Sequence, residues 1–93
     1  MAVPIEEIHV ASLVVHVRPE RVAELEEAIA AFAGAEVAAA DRSGKLVVTL
    51  EADDERRIAD QLDAIGALPG VLSATLVAHH AEPLTPAEEG ASP

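Results

Sequence analysis

The chain of 93 residues has no cysteine, tryptophan or tyrosine, and only one phenylalanine. Without cysteine, a disulfide scaffold, a thiolate zinc site, an iron–sulfur site and a redox thiol are all excluded. Without aromatic rings there is no platform on which bases or sugars could stack. Cations are scarce too: Lys+Arg number 6 against Asp+Glu 17, for a formal net charge of −11. Such a surface repels nucleic acid and anionic membranes at long range and attracts cationic partners.

Long apolar runs are also missing. The stretch Val10 to Val17 is interrupted by Ser12 and His16 and falls far short of the ~20 residues that a spanning helix requires. Met1 to Glu7 holds no basic segment ahead of an apolar one, and Glu6 and Glu7 stand where a signal peptide carries positive charge. These features predict a cytoplasmic protein that does not insert into membranes. Its length suits one domain, and 51% hydrophobic residues are too many for a disordered chain.

Residues 8–17, rich in β-branched side chains and free of Gly and Pro, predict a strand. Pro19 suits the first turn of a helix. The following stripe of Val22, Leu25, Ile29 and Phe32 has helical spacing, with Gly34 as its C-terminal cap. A weak Ala-rich strand at 35–41 leads to the turn Asp41-Arg42-Ser43-Gly44 and then to the strand KLVVTLE. Asp53 or Asp54 caps a second helix with the stripe Ile58, Leu62 and Ile65. Leu68-Pro69-Gly70 ends it, and residues 71–80 form the last strand. The order βαββαβ predicts an α+β ferredoxin-like split βαβ sandwich. Its four-stranded antiparallel sheet has the order 4-1-3-2, with both helices on one face. Residues 1–7 read as an N-terminal extension, 8–81 as the domain, and 82–93 as a disordered, acidic, Pro-rich tail.

Two helices cover only one face of such a sheet. Strict alternation sends Leu13, Val15, Val17, Leu46, Val48, Leu50, Leu72, Ala74, Leu76 and Ala78 towards the helices. It leaves Ser12, Val14, His16, Val47, Thr49, Glu51, Ser73, Thr75, Val77 and His79 on the open side. Val14, Val47 and Val77 form an apolar strip flanked by hydroxyls and bordered by Glu51, a composition suited to an apolar segment with positive charge at one end. Pattern alone fits a binding face, a dimer face and a plain solvated sheet equally well.

Other chemistries fare worse. His9 and His16 have odd spacing in one strand and diverge, as do the adjacent His79 and His80. His16 with His79 is the pair that alternation brings together, and no third ligand accompanies it, so no metal or other cofactor is expected. An acylphosphatase-like site lacks its Gly-rich loop, and the chain has no Asn. Ser43-Gly44-Lys45 lies in a hairpin rather than ahead of a helix, and so is a poor phosphate loop. The carboxylate pairs Glu26-Glu27 and Asp53-Asp54 are explained by solvation and helix dipoles. No nucleophile, base and orienting group fall together, which predicts a non-enzyme. A ferredoxin-like ligand-sensing or regulatory module acting as a homodimer is the alternative.

Five segments, considered together, resemble the NapD family: His9-Val10-Ala11-Ser12-Leu13-Val14-Val15, Phe32-Ala33-Gly34-Ala35-Glu36-Val37, Ser43-Gly44-Lys45-Leu46-Val47-Val48, Pro69-Gly70-Val71-Leu72 and Leu76-Val77-Ala78-His79. The likeness runs over about residues 8–81 and rests on their joint order and spacing. It implies a small cytoplasmic chaperone for the periplasmic nitrate reductase NapA. Such a chaperone binds the twin-arginine signal peptide of the precursor and delays export until the molybdenum cofactor is inserted. On this reading the chain itself holds no cofactor and is a monomer or weak homodimer. Val14, Val47 and Val77 supply apolar contact, and Ser12, Thr49, Ser73 and Thr75 supply hydrogen bonds. Glu51, with Glu36 as a second candidate, meets the guanidinium groups; His16 borders the site and His79 lies at its rim.

Overall fold

The computed structural model describes residues 7–83. Seven elements follow in order: strand β1 (Glu7–Val17), a 3-10 turn (Pro19–Arg21), helix α1 (Val22–Ala30), strands β2 (Ala35–Asp41) and β3 (Lys45–Ala52), helix α2 (Glu55–Gly66) and strand β4 (Val71–Pro83). The strands form one antiparallel sheet in the order β2-β3-β1-β4, which is the expected 4-1-3-2 order read from the other edge. Glu7, Glu82 and Pro83, assigned from the sequence to the extension and the tail, are strand residues. The rest of the extension, 1–6, and of the tail, 84–93, lie outside the described residues.

Local chemistry sets the element ends. Asp54 caps α2, its Oδ1 accepting from the Arg57 backbone N–H at 2.9 Å. The β2–β3 hairpin closes with the Ser43 N–H donating to Asp41 Oδ1 at 2.9 Å and the Gly44 N–H to the Asp41 carbonyl at 2.9 Å. Gly34 does not cap α1, which ends a turn earlier at Ala30. Instead it sits third in the turn Phe32 to Ala35, with φ of 78°. Gly70 holds the same place after α2, in Leu68 to Val71, with φ of 96°. Both turns need a positive φ at that position. The rough twofold repeat of the sequence is therefore a repeat of helix, Gly turn and strand.

The core is one cluster. Ala11, Leu13, Val15 and Val17 of β1 and Leu46, Val48 and Leu50 of β3 are buried against Leu25 and Ile29 of α1 and Ile58 and Ile65 of α2. Each large aliphatic side chain so buried contributes ~1.5–3 kcal/mol. Within each strand the buried residues alternate with less buried ones, and the two buried sets pair across β1 and β3, so both helices lie on one face.

Across the pair of β1 with the edge strand β4, Leu13 stands opposite Leu76, yet Leu13 is fully buried whereas Leu76 is 41% exposed. Leu13→Ala is therefore expected to cost ~2–5 kcal/mol in urea unfolding, and Leu76→Ala markedly less. Equal losses at the two positions would contradict the one-sided packing.

Candidate functional site

Among the described residues the opposite face of the sheet carries no helix, and the strand register fixes what it presents. Across β3, β1 and β4, Val47, Val14 and Thr75 form one row. Thr49, Ser12 and Ala78 form the next, and Lys45, His16 and Ser73 close one end. Glu51, Val10 and His80 close the other. Strand β2 adds Ala39 opposite Val47 and Glu36 opposite Thr49. Val10, Ser12, Val14, Val47 and Thr49 are half-buried by their neighbours, while Glu36, Glu51, Ser73, Thr75 and His16 are exposed.

The face is thus apolar and hydroxylated in the middle, with most of its carboxylates at the β3 C-terminal end. There Glu36 and Glu51 are joined by Glu82, which stands opposite Ile8. Among the described residues neither Glu36 nor Glu51 takes part in an ion pair. At the other end Lys45 stands opposite Asp41 of β2.

Ser12, Val14, His16, Val47, Thr49, Glu51, Ser73 and Thr75 are brought together as alternation predicts. The last strand departs from strict alternation in two places. The β1–β4 register shifts between Ser12 and Leu13, where Val77 is the extra residue, and between His16 and Val17, where Leu72 is. A bulge inserts one residue and reverses the alternation beyond it. Ala78, expected on the helix side, therefore stands opposite the open-face residue Ser12. His79, expected outward, stands opposite the buried Ala11 and lies on the helix side. It is removed from the open face, and His80 takes its place there. Leu72, expected to be buried, is 63% exposed, and the bulged Val77 is 57% exposed beside the apolar strip.

The predicted His16–His79 pair is replaced by His9 with His79, their ring nitrogens 3.1 Å apart, while His16 faces Lys45 and Ser73. Sequence reasoning also missed Val10 and Lys45, although alternation carried along β1 and β3 reaches both. His80 depends on the bulge, which has no Gly or Pro to announce it.

On the helix side, an open cleft of about 860 Å³ runs between α2 and β4. Ile58, Ala59, Leu62 and Leu76 line it, with Asp54, Glu55, Arg56 and His79 around them. At the start of α1, Arg21 forms a two-pronged pair with Glu24, at 3.0 and 2.7 Å. This contact pushes the Glu24 carboxyl below and the Arg21 guanidinium above their ordinary values. Both groups are solvated and lie away from the open face. Among the described residues no helix is long and apolar enough to cross a membrane.

The NapD protein family matches residues 8–83 of the chain. Chaperone NapD of Escherichia coli K12 is 38% identical over 74 residues, covering 78% of this chain and 85% of that protein. Chaperone NapD of Paracoccus pantotrophus is 37% identical over 82 residues, covering 88% and 70%. The solution structure of the E. coli Tat proofreading chaperone protein NapD superposes with a TM-score of 0.74 at 36% identity, over 78% of each chain. These relatives do not favour the ligand-sensing alternative.

The two faces differ testably within one strand. Val48→Thr buries a hydroxyl among aliphatic side chains and is expected to cost ~1–3 kcal/mol, whereas Val47→Thr on the open face should fall within ~0.5 kcal/mol. Thermal or urea unfolding of the two variants measures the difference, and a reversal would misplace the open face.

Proposed function

The chain belongs to the NapD family, and from that membership we propose that it is a cytoplasmic chaperone for the twin-arginine signal peptide of a periplasmic nitrate reductase precursor. The observation that supports this most is the uncovered sheet face, apolar along Val10, Val14 and Val47 and acidic at the end where Glu36 and Glu51 lie. A twin-arginine leader has the matching order: a basic pair followed by an apolar stretch. Its guanidinium groups meet Glu51 and Glu36 through charge-assisted hydrogen bonds. Its apolar stretch lies over Val14 and Val47, beside the bulged Val77, and Ser12, Thr49, Ser73 and Thr75 take up polar groups along the way. His16 borders the opposite end.

Binding of this kind is sequestration. No bond is made or broken, and the peptide is withheld from the export machinery while the precursor acquires its molybdenum cofactor. The net charge of −11 speeds encounter with a cationic leader and makes association sensitive to salt. A flat sheet with an apolar centre suits a peptide lying across it with one apolar side down, as in helix-in-groove recognition.

Glu51→Lys is expected to weaken binding of a synthetic twin-arginine peptide by roughly tenfold or more and to flatten its salt dependence. Titration calorimetry at two ionic strengths reads both effects. Unchanged affinity would remove Glu51 from the site.

A further inference from the structure

The bulge at Val77 has a second consequence on the helix side. It turns His79 towards β1, where His9 Nδ1 and His79 Nε2 stand 3.1 Å apart, with ring centroids separated by 5.3 Å. The His9 side chain is only 14% exposed, and its other nitrogen, Nε2, faces Glu7 Oε1 at 3.7 Å. In the tautomer with its proton on Nε2, His9 has a lone pair on Nδ1 available to a cation beside His79 Nε2. His79 borders the cleft beneath α2, so water reaches the pair.

We propose that His9 and His79 form a two-imidazole chelate for a late first-row divalent cation, of which Cu(II), Ni(II) and Zn(II) are the candidates. The spacing suits this chemistry. With metal–nitrogen bonds of about 2.0–2.1 Å, a cation bridging two nitrogens 3.1 Å apart subtends about 95–100°, close to square-planar and short of tetrahedral geometry. The imidazoles need no net loss of protons: His79 carries its proton on Nδ1, His9 carries its own on Nε2, and both facing nitrogens become donors. Glu7 behind His9 adds a nearby negative charge that complements a bound cation. The surroundings, with Glu7, Asp54 and Glu55 against Arg56, favour a cation. Among the described residues no group of three His, Asp or Glu side chains converges as a ligand set. The site is therefore open, with water completing the shell, and its affinities follow Cu(II) above Ni(II) and Zn(II). Hard Mg(II), which prefers oxygen donors, is excluded.

The test is titration of the tag-free chain with Zn(II), Ni(II), Cu(II) and Mg(II), read by calorimetry and by histidine ring NMR signals. The expected result is one saturable site for the first three ions and none for Mg(II), with the His9 and His79 rings perturbed by Zn(II). His9→Gln and His79→Gln should each lower affinity roughly tenfold or more, while His16→Gln and His80→Gln leave it unchanged. His79 is exposed, so its variant keeps the fold even where the His9 variant does not. Absence of saturable binding would overturn the proposal, as would wild-type affinity in His79→Gln. A loss in His80→Gln as large as that in His79→Gln would also overturn it, because the adjacent His79-His80 pair would then be the ligand.

Discussion

The whole molecule depends on one asymmetry: four strands and two helices bury only one side of a sheet. The helix stripes Leu25–Ile29 and Ile58–Ile65 meet Leu13, Val15, Leu46, Val48 and Leu50, and that single layer of contact is the core. Among the described residues nothing packs over the other side, so its side chains are free of packing demands and answer to solvent or to a partner. The chain fills the middle of that side with valine, serine and threonine rather than with long charged residues, and gathers Glu36 and Glu51 at one end. Stability is thus made on one face, and the other is left to solvent or a partner.

Electrostatics gives that face a direction. The middle rows are neutral, Glu36 and Glu51 gather at the end where β3 leads towards α2, and at the opposite end Lys45 beside His16 is balanced by Asp41. A ligand that is cationic at one end and apolar along its length has one favourable orientation on such a surface and one unfavourable one. A uniformly acidic surface would attract the same ligand without orienting it. The distribution of charge therefore matters beyond its total.

Much of this was legible in the sequence, because the signals were local and periodic. The alternation of β1 and β3, the helix stripes, the Asp54 cap and the hairpin turn each rest on residues within a few positions of one another, and the strand order follows from right-handed crossovers. The last strand was legible as a strand, but its register was not. Its two extra residues, Val77 and Leu72, are ordinary strand formers, and a bulge is a property of register against β1 rather than of β4 alone. One residue of slip exchanges the faces of Ala78, His79 and His80, which removes His79 from the open face and sets it against His9. The end of α1 was misjudged for a related reason: Gly34 serves a turn whose geometry is set by its pairing with Glu51, a contact remote in sequence.

The central claim is that the helix-free face receives the signal peptide. Amide NMR shifts of the isotope-labelled chain, followed during addition of a synthetic twin-arginine peptide, test it most directly. The account predicts perturbations concentrated at Val10, Ser12, Val14, Val47, Thr49, Glu51 and Thr75, with α1 and α2 largely silent. Perturbations confined to the helices and to the cleft beside Ile58, Leu62 and Leu76 would place the peptide on the opposite side of the molecule and contradict it.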